Sequence, residues 1–194
     1  MPQLDFGPDQ HRKVLLPVDE SDHSLRAVEW YFKFGKLPQD FVVLFHSVDT
    51  SSIIPSSGYT WAGEISPLPM TAVEKMLKEK EQEVKELKLK YVNLLNVNHV
   101  QGEFLYSSAF NHAGEAIIDA CEQRSIHYVI MGNRGMGAIR RTFLGSISDY
   151  VLHHAHIPVT IIPPPTLKKD SKSKETEQPN GTAKDPKEAT NEKS

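Results

Sequence analysis

Five short apolar runs recur along the chain, and turn-forming or polar residues bound each of them. Runs rich in valine, isoleucine, leucine and phenylalanine are typical of strands that are buried on both faces of a parallel sheet. The pattern therefore predicts five strands, at residues 13–18, 41–48, 99–106 and 126–131, and a last one from Ile157 to Ile162.

Segments with helical periodicity alternate with these runs. The clearest spans residues 71–96, where apolar residues form one stripe and lysine and glutamate fill the other face. Shorter helical segments lie at residues 25–35, 113–124 and 146–154. Because strands and helices alternate, we expect an α/β fold with a parallel sheet, helices on both faces and right-handed crossovers.

Length and composition favour one globular domain with an attachment at each end. A chain of 194 residues is long enough for one well-buried domain and too short for two ordinary ones. Residues 1–11 are predicted to be a flexible segment and residues 12–165 the folded domain. Residues 166–194 are predicted to be disordered, because Leu167 is their only large apolar residue. Prolines, glycines and serines predict a long connection at residues 49–69, whose role the sequence leaves open.

Charge and cysteine content narrow the classes of partner and compartment. The net charge of −3 provides no basic field that would attract nucleic acid or an anionic membrane. The single cysteine, Cys121, forms no internal disulfide and fits a reducing compartment. The amino terminus has no apolar core typical of a signal peptide, and no apolar run approaches the length of a membrane span. We therefore expect a cytoplasmic protein.

The segment from Met131 to Tyr150 contains the residues with a recognisable chemical purpose. Glycines at positions 132, 135, 137 and 145 lie between the fourth predicted strand and the next helix. Glycine lets main-chain N–H groups approach an anion closely, and a helix amino terminus adds free N–H groups and partial positive charge. The hydroxyls of Ser146 and Ser148 are further donors. These features favour a phosphate site at the edge where parallel sheets bind ligands.

Two common phosphate motifs do not fit this segment. A P-loop requires a Gly-Lys pair after four intervening residues, and the segment has no such lysine. The dinucleotide motif, started at Gly135 and Gly137, requires a third glycine at the position that Arg140 occupies. A different kind of phosphate loop is therefore needed.

The spacing that does occur is GxxG, nine residues, then Gly-Ser, and it is filled by Gly132, Gly135, Gly145 and Ser146. It resembles the ATP-binding signature of the universal stress protein family. The resemblance extends over residues 12–163 and includes the first strand ending in PVD, the FHSVD segment after the second strand and HIPVTIIP at the end. It implies ATP binding and a five-stranded parallel sheet of the Rossmann or flavodoxin type, similar to the adenine nucleotide alpha-hydrolases.

The resemblance also implies roles for individual residues. Asp19 would contact the ribose or a phosphate-bound Mg²⁺, and Ser47 would meet the adenine edge through its main chain. From the residues alone, other interpretations stay open: Asp19 as a cap of the first helix, the glycines as turn formers, and Arg134 as solvated surface. The full set of implied nucleotide contacts is Pro17, Val18, Asp19, Ser47, Met131, Gly132, Arg134, Gly135, Gly145, Ser146, Ile147 and Ser148.

The leading hypothesis is a cytoplasmic regulator in stress response that binds ATP with Mg²⁺, with AMP or ADP as alternative ligands. The last strand, from Ile157 to Ile162, offers an edge for pairing with its copy in a homodimer. Two other functions stay open. One is a slow ATPase or phosphotransfer enzyme that uses Asp19 and Mg²⁺, although the sequence has no recognisable catalytic residue. The other is a nucleotide-free dimeric interaction module with an unknown protein partner.

Overall fold

The apolar runs form a parallel β-sheet in the computed structural model, which describes residues 11–49, 70–109, 112–133 and 144–165. Neighbouring strands follow the order β3-β2-β1-β4-β5, and every neighbouring pair is parallel. The predicted five-stranded parallel sheet is therefore confirmed. Its strands are β1 (Arg12–Pro17), β2 (Asp40–Asp49), β3 (Gln101–Ala109), β4 (Tyr128–Gly132) and β5 (Val159–Ile162).

Helices occupy the segments where the periodicity predicted them. Within the described ranges, none of them is both long and apolar enough to cross a lipid bilayer. The longest, α2, has 28 residues, and its buried residues all lie in its second half. The α-helices are α1 (Asp22–Trp30), α2 (Met70–Val97), α3 (Ala113–Gln123) and α4 (Ser146–His154).

The helices cover both faces of the sheet because successive residues of a strand point in opposite directions. On one face, Val14 of β1 belongs to a core cluster with Val28 of α1 and Tyr91 of α2. On the other face, Leu15 belongs to a second cluster with Ile117 of α3 and with residues of α4. The predicted arrangement of two helical layers around one sheet is therefore observed.

The order of the strands reverses at β1. Strands β2 and β3 lie on one side of β1, whereas β4 and β5 lie on the other. In open parallel sheets, such a reversal leaves a crevice outside the carboxyl ends of the strands, because the connections on the two sides leave in opposite directions. The carboxyl ends of β1 and β4 therefore mark the expected position of a ligand site.

The end of the first helix differs from its prediction. The periodicity predicts one helix to Gly35, whereas the regular α-helix ends at Trp30 and the following turn is π-helical. The Tyr31 hydroxyl donates to Asp40 Oδ2 over 2.9 Å, and Arg12 Nη2 donates to the carbonyl O of Gly35 over 2.7 Å. Because these partners come from two strands, no local pattern indicates the π-helical turn.

The last strand is shorter than predicted. It begins at Val159 rather than at Ile157, because Pro158 has no N–H to donate and contributes only its carbonyl O, which accepts from Val129 N over 3.0 Å. Three other predictions fall outside the described ranges and stay predictions: the flexible amino-terminal segment, the long connection after β2 and the disordered tail, at residues 1–10, 50–69 and 166–194.

Candidate functional site

A cleft with a volume of about 870 Å³ lies at the carboxyl ends of the strands, and we name it the carboxyl-edge cleft. Its described lining comes from the turn after β1, the end of β2, the middle of α2 and the first turns of α3 and α4. Segments that are far apart in sequence thus meet at the predicted edge of the sheet. The predicted site residues found in this lining are Asp19, Ser47, Gly145, Ser146, Ile147 and Ser148.

Other predicted residues are not part of the described lining of the cleft. They belong to the ends of β1 and β4 or follow them directly, and they are buried or half-buried there. These residues therefore belong to the framework of the site. The four are Pro17, Val18, Met131 and Gly132. Arg134 and Gly135 lie outside the described residues, so their implied contacts stay predictions.

Gly132 allows the first turn of α1 to approach the end of β4. A Cβ atom at this position would lie 2.6 Å from the carbonyl O of His23 and 2.7 Å from its carbonyl C. Main-chain atoms of a packed helix cannot give way as a flexible side chain can. The first glycine of the GxxG spacing is therefore required by the packing of α1, whether or not a ligand is bound.

Asp19 supports the turn that begins α1. The N-cap of α1 is Ser21, whose Oγ accepts from Ser24 N over 3.3 Å. Asp19 Oδ1 accepts from the N–H of Ser21 over 3.0 Å and from its hydroxyl over 2.5 Å. The capping role considered for Asp19 thus belongs to Ser21. The half-buried Asp19 orients this cap and lines the cleft.

A buried tyrosine fixes the main chain at Asp19. Tyr91 of α2 has no exposed surface, and its hydroxyl donates to the carbonyl O of Asp19 over 2.9 Å. Ser24 Oγ donates to the same oxygen over 2.9 Å. Burial raises the pKa of Tyr91 to about 12, so the hydroxyl keeps its proton at neutral pH and remains a donor. Helix α2 thereby positions one wall of the cleft.

His46 joins the ends of β1 and β2. Its Nδ1 lies 2.8 Å from the carbonyl O of Val18. Because a carbonyl oxygen only accepts, Nδ1 carries a proton and donates it to this hydrogen bond. His46 lines the cleft beside Ser47, so the same contact that joins the strands also orients a polar side chain of the site.

The amino terminus of α4 opens on the cleft without a side-chain cap. Its N-cap is Gly145, whose N–H donates to the carbonyl O of Asn133 over 2.9 Å. Asp149 N donates to the carbonyl O of Gly145 over 2.8 Å, so the N–H groups of residues 146–148 precede the helical hydrogen bonds. These groups and the helix dipole give this part of the cleft a partial positive charge.

The Ser148 side chain joins α4 to the end of β4. Its hydroxyl donates to the carbonyl O of Gly132 over 3.0 Å and to that of Asn133 over 3.2 Å. Only 2% of the residue is exposed. The sequence predicted that this hydroxyl donates to a phosphate, but in the structure it donates to these two main-chain carbonyls. The main-chain N–H of Ser148 is the group that stays predicted to contact a phosphate.

The sequence analysis missed the contributions of α2 and α3 to the cleft. Lys80 and Glu83 of α2 and Glu115 of α3 line it. One signal was available, because Lys80 lies four residues before Val84, a member of the predicted apolar stripe, and residues at this spacing share a helix face. No comparable signal existed for α3, since the start of that helix contains no recognised motif.

A model of the universal stress protein family matches residues 10–163 of the chain. The chain belongs to the universal stress protein family. The family resemblance found in the sequence is thereby confirmed. Among its relatives, the universal stress protein MJ0531 of Methanocaldococcus jannaschii is 26% identical over 161 residues, which cover 82% of this chain and 86% of the relative.

Solved structures from the family share the fold. Universal stress protein UspA from Lactobacillus plantarum superposes with a TM-score of 0.62 at 19% identity, covering 79% of this chain and 98% of UspA. A family member from Arabidopsis thaliana, At3g01520, whose structure has AMP bound, gives a TM-score of 0.53 at 18% identity, covering 79% of this chain and 92% of its own. These similarities confirm the α/β fold class.

The described lining of the carboxyl-edge cleft in the present chain is rich in carboxylates. The one ammonium group among those lining residues, Lys80, has its Nζ 2.6 Å from Glu83 Oε2. Nearby carboxylates repel a polyphosphate, so an anion bound here requires compensating positive charge, to which the amino terminus of α4 contributes. The carboxylates belong to Asp19, Glu20, Asp49, Glu83 and Glu115.

Proposed function

We propose that the protein binds an adenine nucleotide in the carboxyl-edge cleft, with ATP and Mg²⁺ as the expected ligand and AMP or ADP as alternatives. The observation that carries this proposal is the convergence of the uncapped amino terminus of α4 and the Asp19 turn on one cleft. Such a position, at the reversal of strand order, is where open α/β sheets bind ligands. The AMP in the Arabidopsis relative supports the class of ligand.

The proposed orientation follows from the charges of the cleft. The phosphates would lie at the amino terminus of α4 and accept from the N–H groups of residues 146–148, with Arg134 and Gly135 completing the loop. A Mg²⁺ ion near Asp19 would reduce the repulsion between the polyphosphate and the carboxylates of the lining. The main chain of Ser47 would meet the adenine edge. The nucleotide would thus span the cleft from α4 to β2.

We further propose that the protein acts as a regulator in stress response, in which nucleotide occupancy changes the binding of a partner. A homodimer through β5 is part of this proposal. Among the described strands, β5 pairs only with β4, so its other edge offers unpaired main-chain groups. Pro158 and Pro163 flank this strand and would limit the pairing to a few residues. Cytoplasmic location stays a prediction.

A proline substitution at the first position of α4 tests the nucleotide site. Ser146→Pro removes one main-chain N–H, and a helix accepts proline at this position because the N–H is not part of the helical hydrogen bonds. The preceding Gly145 already has the extended ψ of 151° that a following proline requires. Ser146→Ala is the matched control, because it removes the same hydroxyl but keeps the N–H.

Calorimetric titration with AMP, ADP and ATP, each with and without Mg²⁺, provides the measurement. We expect binding, and we expect Mg²⁺ to strengthen the binding of ADP and ATP. Ser146→Pro should weaken the affinity by about tenfold to a hundredfold, because a charge-assisted hydrogen bond contributes roughly 1.5–3 kcal/mol. Ser146→Ala should have a smaller effect.

Three outcomes of this titration separate the candidate functions. Equal affinities of the proline and alanine variants would exclude the Ser146 N–H as a phosphate contact. Absence of binding by the unmodified protein would refute the proposal and favour the interaction module. Steady release of phosphate that Asp19→Asn abolishes without loss of binding would favour the ATPase. The expected result is binding without such release.

A further inference from the structure

A second cavity, with a volume of about 670 Å³, lies at the opposite, amino-terminal edge of the sheet. We name it the amino-edge groove. Its volume falls in the range of about 300–1,000 Å³ that small-molecule sites occupy. It shares no lining residue with the carboxyl-edge cleft. Residues of β1, β2 and β3 and of the turn after α3 line it, notably Lys13, Phe41, Val43, Glu103, Arg124 and His127.

The floor of the groove is apolar. Val43 of β2 belongs to the core cluster under α3 and is 1% exposed, and the half-buried Phe41 packs against the same cluster. Helix α3 ends at Gln123, and the chain then turns sharply at Ser125, which has a left-handed φ of 50°. Because Val43 is almost fully buried, the half-buried Phe41 provides the apolar surface of the groove that a ligand can contact.

Two cationic side chains, Lys13 and Arg124, also line the groove, and each is held by contacts within the protein. Lys13 Nζ donates to the carbonyl O of Arg124 over 3.0 Å, which uses one of its three N–H groups. Arg124 Nη1 lies 3.4 Å from Glu103 Oε1, a contact that engages part of a guanidinium with five N–H groups. The main-chain N–H of Lys13 donates to His127 Nδ1 over 3.0 Å and so fixes the imidazole. Donor capacity therefore remains at the rim.

The charges around the groove select the kind of anion. Lys13 and Arg124 contribute two positive charges and Glu103 one negative charge, so the three together carry +1. Burial and the nearby Lys13 lower the pKa of His127, which keeps this ring neutral at pH 7. A singly charged carboxylate balances this rim, and unlike inorganic phosphate it can carry an apolar body that contacts Phe41.

We propose that the amino-edge groove is a second binding site, which takes a small carboxylate with an apolar ring or branched chain. The carboxylate accepts from Lys13 Nζ and from the Arg124 guanidinium, and the apolar body lies on Phe41. This site is independent of the nucleotide proposed for the opposite edge of the sheet. Its ligand would therefore bind with or without AMP present.

Titration of the full chain with phenylacetate, followed by NMR, tests the proposal. We expect saturable shifts of the Val43 methyl groups and of the Lys13 and His127 amides. Phenylacetamide has the same ring without the charge, and inorganic phosphate has charge without the ring, so each should bind at least about tenfold more weakly. Saturating AMP should leave the phenylacetate affinity unchanged.

Lys13→Met tests the cation while keeping the aliphatic stem and the main-chain N–H to His127. The affinity for phenylacetate should fall by about tenfold, the loss expected for one charge-assisted hydrogen bond. Lys36→Met is the matched control, because Lys36 also donates its Nζ to a main-chain carbonyl, that of Asn98 over 2.6 Å, but lies outside the groove lining.

Each contrary result overturns the proposal. Shifts confined to the carboxyl-edge cleft would mean that phenylacetate binds there. Equal affinities for phenylacetate and phenylacetamide would mean that the cations take no part. A linear response up to about 10 mM, or an equal effect of the Lys13 and Lys36 substitutions, would mean that the groove forms no specific site.

Discussion

Replacement of Gly132 by alanine is expected to destabilise the fold before it affects any ligand. The added Cβ would lie 2.6 Å from the carbonyl O of His23, well inside the separation that such atoms tolerate. Relief requires α1 to move away from β4 by a few tenths of an ångström or more. That displacement would disturb the contacts of Ala27 and Val28, which are buried in the core at 1% and 0% exposure.

The size of the effect follows from overpacking. Forcing extra volume into a closely packed site costs about 1–3 kcal/mol of unfolding free energy, and the upper half of this range applies because the obstacle is main chain. Alanine loses less backbone entropy on folding than glycine, which offsets about 0.4–1 kcal/mol. The expected net loss is therefore about 1–2 kcal/mol. With a urea m-value of about 2 kcal/mol/M, the middle of the usual range, the unfolding midpoint should fall by roughly 0.5–1 M.

Urea unfolding followed by circular dichroism, without nucleotide, measures this loss. Gly35→Ala is the control, since its Cβ would meet the Trp30 ring at 3.1 Å, and a side chain can shift more easily than a main chain. We expect a smaller change in the control. If Gly132→Ala kept the original midpoint but lost nucleotide affinity, the packing argument would be refuted and the glycine would serve the ligand directly.

Three further predictions concern buried polar groups. Asp40→Ala should lower the unfolding free energy by about 3–5 kcal/mol in urea titration, because Arg12 and Tyr31 lose a carboxylate with a 1% exposed side chain; an unchanged midpoint would contradict this. Burial raises the pKa of folded Tyr91 to about 12 from 10.0, so its contribution to stability is complete below pH 10 and is lost as the pH rises toward 12. When the free energy of unfolding is measured at increasing pH, Tyr91→Phe should show a smaller decrease over this range than the unmodified protein. Burial raises the pKa of Cys121 to about 11 from 9.0, which lowers its thiolate fraction at pH 8 about a hundredfold. A disulfide reagent, followed by absorbance, should therefore react about a hundredfold more slowly with the folded chain than with the unfolded chain. Equal rates would show that the thiol is accessible.

Much of the fold could be predicted because its strands are defined by local composition. Runs such as VVLF in β2 are apolar at every position, which is the pattern of a strand covered on both faces. The π-helical turn after α1 could not be predicted, because it depends on Asp40 and Arg12, which come from two strands. Local patterns carry no information about such contacts.

The part of the candidate site that lies within one continuous sequence motif could be predicted. The spacing from Gly132 to Ser146 indicated the end of β4 and the start of α4, and both lie at the cleft edge of the sheet. The sequence did not separate the reasons for those residues: Gly132 is needed for the approach of α1, and the Ser148 hydroxyl bonds to main-chain carbonyls. The contributions of Lys80 and Glu115 depend on how α2 and α3 pack, which no motif encodes.

The hydrogen bonds between the end of β4 and the start of α4 have a mechanical consequence. Gly145 and Ser148 both donate to the carbonyl O of Asn133, so the amino terminus of α4 is fixed to the residue that follows β4. A displacement of the amino terminus of α4 would therefore reach β4 directly. The two elements respond as one unit to anything that moves this edge of the sheet.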